Sequence, residues 1–274
     1  MGFINATIVF ATLAGSADEK PSLAIPQDLK THIDQSIELG RAIYMQDKAS
    51  AMATDALVQQ LGPVEGKGLG GYLTVRESSD RGAPAASWSV FFFTNEASPR
   101  IAYRVRVPMD QRRPTVDVVS PPEPPKPGAE ALFRARQTAL AAAQPLHQPM
   151  NPVVLPAEAL GKHGILVYLI AGTSEPNVAV LGKHYRMMVS DDGGTVLEST
   201  PLTKTEIEMS TADHAGGRLE ALAVTHLVTD YPLETHVFAS MLNNTPIYVG
   251  TNRGIWCVDR DSIRLVSVDV PPNK

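Results

Sequence analysis

The hydrophobic period of this chain changes abruptly, and it does so more than once. Downstream of Pro26, apolar residues recur near helical spacing: Leu29, Ile33, Ile37, Ile43 or Tyr44, then Met52, Ala56 and Leu57. Asp28 is placed to cap this helix, and Gly62-Pro63 stops it around Leu61. Gly40 and the run Ala49-Ser50-Ala51 are where it is expected to divide in two. From Tyr72 the period falls to two. Tyr72, Thr74 and Arg76 alternate with Leu73, Val75 and Glu77, and the β-rich Trp88–Thr94 follows. Ile101–Val107 sets Arg104 and Arg106 on one face against Tyr103, Val105 and Val107 on the other, and Thr115–Val119 adds a fourth strand. Short connections between these strands favour an antiparallel meander.

The same order then recurs. Ser120–Gly128 holds five prolines in nine positions, which reads as a semi-rigid connection or, alternatively, as a proline-rich ligand for a partner. Beyond it come an alanine-rich helix, Ala129–Gln144, and strands over 164–171, 177–190 (bent) and 195–200, with Asp191-Asp192-Gly193-Gly194 as a hairpin turn. A third unit follows. It has a strand over 223–228, a short helix signalled by Asp230, Pro232 and Glu234, and strands over 246–250, 255–259 and 263–268. The fold class is α+β, with helices packed on antiparallel sheets and the helix-then-meander unit repeated. The expected division is an N-terminal helix plus sheet over 24–120, a linker over 121–128 and a C-terminal α+β domain over 129–270.

Composition narrows the function classes. A net charge of −5 gives no global attraction for nucleic acid or acidic lipid. The single Cys257 excludes an internal disulfide and a thiolate zinc cluster. Residues 1–17 read as a signal peptide, because Gly2–Ala14 carries no charge and Gly15 and Ala17 stand at −3 and −1 of a cleavage site. No Lys or Arg precedes Phe3, which departs from that layout. The expected location is periplasmic or secreted. The alternative is a cytoplasmic protein whose N-terminus is a buried strand using Ile4, Ile8, Val9 and Phe10. The apolar run is too short to span a bilayer, so no integral span is expected in the mature chain.

Lys183-His184-Tyr185-Arg186-Met187-Met188-Val189, leading into Asp191-Asp192-Gly193-Gly194-Thr195-Val196-Leu197 after an alanine-rich helix, is similar to the C-terminal hairpin of PepSY-like modules. The resemblance covers residues 129–200. It implies a small exported α+β domain of a kind associated with peptidase inhibition or with sensing and assembly at the envelope. Thr235–Trp256 resembles a segment of uncharacterised bacterial exported proteins and implies no activity.

Few constellations carry chemistry. His226, Asp230, Glu234 and His236 fall within eleven residues across a strand-to-helix junction. They would serve a hydrolase or metal-dependent enzyme if they converged; otherwise Asp230 caps the helix and His226 sits in a strand. The glycine-rich Gly66–Gly71 has its helix before and its strand after, the reverse of a phosphate loop. Ser174 lacks a nucleophile elbow, and Cys257 lies inside an apolar strand. No cofactor or metal is expected. Arg104, Arg106 and Arg113, with Arg100 and Arg112 nearby, form a basic strand able to dock an acidic protein or an anionic envelope component, though Asp110 and Asp117 weaken its field. The expected function is that of a non-enzymatic exported binding or interaction protein of the bacterial envelope, with inhibition as one form. The alternative is the enzyme at residues 226–236.

Overall fold

The computed structural model describes residues 22–77, 87–110, 112–143, 150–173, 175–212 and 219–268. The proposed signal segment, His147, Ser174 and His214 lie outside them. The protein is α+β. Helix α1 spans Gln27–Leu61, α2 spans Pro127–Ala143 and α3 spans Glu234–Asn243. Sheet I is the meander β1 (Leu69–Arg76), β2 (Ser87–Thr94), β3 (Ile101–Pro108) and β4 (Thr115–Glu123). Sheet II has the order β5-β6-β8-β9, from Met150–Pro156, Ile165–Ala171, Tyr185–Val189 and Val196–Pro201. Short β7 (Val178–Val180) and β10 (Glu208–Ser210) pair with each other. Sheet III joins β11 (Leu222–Thr225) in parallel to the antiparallel run β12 (Ile247–Thr251), β13 (Gly254–Asp259) and β14 (Ser262–Ser267). In chain order α1 precedes sheet I, α2 precedes sheet II, and α3 lies between the first two strands of sheet III.

The first helix is continuous, against the expectation of two pieces. Its 35 residues make it about 52 Å long at 1.5 Å per residue. Gly40 does not break it. A Cβ there would stand 2.5 Å from Val237 Cβ and 2.7 Å from the Glu234 carbonyl, so glycine lets α1 and α3 cross at close range. Asp28 makes no cap either. Its carboxylate meets Arg253 at 3.1 Å, fastening the start of the helix to the β12–β13 turn.

Each third of α1 serves a different core. Leu29 and Ile33 pack with Val249, Trp256 and Leu265 of sheet III. Leu39 and Ile43 pack with Leu166, Tyr168 and Ile170 of sheet II and with Phe238 of α3. Ala49, Ala53 and Leu57 meet Val90, Phe92 and Val105 of sheet I. A fourth cluster joins Leu73 and Phe93 of sheet I to Phe133 of α2 and Val167 and Met187 of sheet II. Sheet II is therefore covered on both faces, which explains why all seven residues of β6 are buried.

Other differences are local. The expected long strand over 177–190 is two strands in two sheets, divided where Lys183 takes a positive φ of 58°. Strand β5 was hidden by Pro152 and Pro156; it is an edge strand, where a nitrogen without hydrogen costs no ladder bond. In the proline-rich segment, Pro121–Glu123 finish β4 and Pro127 opens α2, leaving residues 124–126 between them. No helix among the described residues is long and apolar enough to cross a membrane.

Candidate binding site

The residues expected at 226–236 come together only in part. His226 follows β11, and His236 lies in the first turn of α3. Their rings meet edge to face with centroids 4.9 Å apart. Glu234 turns elsewhere. It is buried, and it accepts from Tyr168 Oη at 2.8 Å and from Arg186 Nη1 at 3.0 Å. Burial first, and then this carboxylate, push the Tyr168 phenol well above its ordinary pKa. Asp230 does not cap α3. Its carboxylate takes Asn252 Nδ2 at 3.3 Å, while the Leu233 N–H at the helix start is satisfied by His236 Nδ1 at 3.0 Å. No group of three or more His, Cys, Asp or Glu side chains among the described residues is arranged to hold a metal ion.

A third histidine joins this seam without having been singled out as a partner. His184, in the loop before β8, is buried and acts electrostatically on His236. The Ala171 N–H donates to its Nδ1 at 3.0 Å, which fixes its proton on Nε2. Among the described residues that Nε2–H completes no hydrogen bond, although the nearby Val180 backbone favours the charged ring. Burial lowers His184 and His226 to about 4, and burial with the two neighbouring imidazoles lowers His236 to about 3. All three are neutral at pH 7. His226 Nε2 accepts from the Thr229 N–H at 3.3 Å and lies 2.9 Å from Thr229 Oγ1, whose hydroxyl donates to the Tyr231 carbonyl at 2.6 Å.

The basic strand is largely neutralised within the chain. Arg104 meets Glu123 at 2.9 Å and lies over the Phe91 ring, and Arg106 meets Glu77 at 3.3 Å. Hydroxyls of Ser87 and Ser89, and then Arg106, hold the Glu77 carboxyl below its usual range. Arg112 pairs with Asp110, and Arg113 is exposed.

A cleft of about 720 Å³ opens where α1, the β1 edge of sheet I and the β5 edge of sheet II meet. Ile37, Met45, Leu132 and Met241 give it apolar walls. Gln46 crosses its floor, and its Nε2 donates to the Thr74 carbonyl at 2.6 Å and the Val154 carbonyl at 3.0 Å, tying one edge to the other. Two carbonyl acceptors fix which end of the amide is nitrogen. Gln46 Oε1 is thus a buried acceptor and Trp88 Nε1 a buried donor, each without a hydrogen-bond partner among the described residues. At the rim Arg41 pairs with Asp261 and Asp34 with Lys30, while Glu38 and Arg76 form no ion pair among the described residues. None of this was singled out in the sequence. The available signal was a polar residue on a core stripe, since Gln46 follows Leu39 and Ile43 at helical spacing. Compared with protein-family models, curated proteins and solved structures, the chain shows no significant match.

Proposed function

We propose that this protein acts by noncovalent binding and that the cleft between α1, β1 and β5 is its recognition site. The observation that carries this is an apolar cavity of ligand size joined to two unsatisfied buried polar atoms of opposite sense, Gln46 Oε1 and Trp88 Nε1. Leaving such atoms unpaired costs about 1–3 kcal/mol each, which an occupant offering a donor and an acceptor recovers. The signal-like first seventeen residues and the PepSY-like resemblance of residues 129–200 support an exported binding module of the envelope over a cytoplasmic one. Arg104 and Arg106 contribute less, because Glu123 and Glu77 already meet them.

The test is a melting-temperature titration with indole, n-octanol and leucinamide, since a ligand of the folded state raises the midpoint by mass action. At least one probe is expected to raise it, and Ala42→Phe, which fills the cleft from α1, is expected to remove that rise while melting cooperatively itself. A wild-type midpoint unmoved by every probe overturns the reading. So does a rise that the filled variant retains.

A further inference from the structure

We infer that the occupant of this cleft is a short peptide in extended conformation, read through its backbone along the outer edge of β1; this rests on the binding reading above. The argument begins with the edge. Sheet I starts at β1, and no strand among the described residues pairs with its outer side. Glu77 N–H bonds back to Ser87 of the β2 side, so the alternate residues Thr74 and Arg76 direct their main-chain groups outward. The Thr74 carbonyl confirms this, since it is taken by Gln46. The Gln46 carboxamide, itself shaped like a peptide unit, bridges β1 and β5, and its buried Oε1 has no N–H partner among the described residues.

The facing edge is poorer in donors. On β5 the Val154 carbonyl points into the cleft, and of the residues of like parity Val154 keeps an N–H on that side while Pro152 and Pro156 have none to offer. An extended backbone supplies what these walls lack: an N–H for Gln46 Oε1, and carbonyls for Trp88 Nε1 and the Arg76 N–H. This is strand addition to a sheet edge, in which main-chain bonds give affinity and side-chain pockets give selectivity. The walls select an apolar side chain, and Met45 and Met241 adapt to its shape. The unpaired rim charges, Glu38 and Arg76, are one of each sign, so the site favours neither a polyanion nor a polycation.

Gln46 Oε1 and Trp88 Nε1 lie beneath the cleft surface, so seating the peptide requires a local opening, and the relief of two unsatisfied groups favours it. Trp88 also provides the readout. The chain has two tryptophans, and the indole of the other, Trp256, already donates to Thr251 Oγ1 at 3.0 Å deep in sheet III.

The experiment follows the two indole N–H signals by ¹H–¹⁵N NMR, assigned with Trp88→Phe, during titration with N-acetyl-Leu-Leu-Leu-amide. The Trp88 signal is expected to move downfield and saturate while Trp256 stays fixed. The analogue N-methylated at the central amide is expected to bind at least about tenfold more weakly, the equivalent of about 1.4 kcal/mol for one lost bond. Equal binding of both peptides overturns backbone readout. If n-octanol saturates the site and the peptide does not, the peptide class is overturned and the binding reading stands. If neither probe moves Trp88, the peptide class falls, and the binding reading falls with it when the melting midpoint is also unmoved by indole, n-octanol and leucinamide.

Discussion

At the scale of single residues, the three buried histidines set an acid limit on the fold. His184 and His236 each accept a backbone N–H at Nδ1. An imidazolium has no lone pair to offer, so charging either ring also orphans a buried donor. Their folded pKa values, about 4 and about 3, and that of His226, about 4, lie below the ordinary 6.5. A lowered value means the unfolded chain binds protons first. The stability these groups contribute is therefore present above pH 6.5 and lost as pH falls toward 4 and 3. With three such groups the slope approaches about 4 kcal/mol per pH unit around pH 5, where the unfolded rings are charged and the folded ones are still neutral. Half-buried Asp47, whose carboxyl burial raises, works in the opposite direction as a single group. Urea midpoints measured from pH 7 to 4.5 are expected to fall steadily, and His226→Asn is expected to remove about one proton from the slope. A midpoint flat over that range would mean that the rings are not buried together.

At the scale of elements, periodicity located most of the secondary structure, and close contacts explain what it missed. The alternation at Tyr72–Glu77 and Ile101–Val107 is legible because sheet I buries its residues by face. Gly40 was misread because a glycine inside a helical pattern looks the same whether it weakens the helix or admits a neighbour. Only the approach of Val237 distinguishes the two. Gln46 was overlooked for a related reason: its partners, the carbonyls of Thr74 and Val154, are 28 and 108 positions away in sequence. The electrostatic action of His184 on His236 is likewise invisible to local spacing. Helix propensity alone makes Gly40→Ala stabilising by about 1 kcal/mol. The crossing makes it destabilising, because the new methyl meets both a side chain and the backbone of α3. Overpacking of this kind costs about 1–3 kcal/mol. Chemical denaturation of Gly40→Ala is expected to show a net loss of that order; an increase in stability would mean that α3 moves aside freely.

At the scale of the whole molecule, α1 connects cores that lie far apart in sequence. Leu29 and Ile33 complete the core of sheet III, although roughly 200 residues separate them from it. Leu39 and Ile43 complete one face of sheet II, and the other face shares its cluster with Leu73, Phe93 and Ile101 of sheet I. A fragment beginning at residue 129 keeps α2, α3 and both later sheets but loses this cover. The burial it forfeits is central, since Ile33 and Ile43 are no more than 1% exposed in the intact chain. Residues 129–268 alone are therefore expected to bind 8-anilinonaphthalene-1-sulfonate and to lack near-ultraviolet circular dichroism, the behaviour of a collapsed chain without fixed packing. The intact chain is expected to unfold in one transition, with calorimetric and van't Hoff enthalpies equal. Division of the molecule at the proline-rich segment requires the opposite pair of results: a fragment that melts sharply by itself, and two transitions in the whole. The two outcomes are exclusive because the same few side chains decide both. If Leu39 and Ile43 are needed to close sheet II, it cannot fold before α1 is in place, and the core of sheet III waits on Leu29 and Ile33 of that same helix.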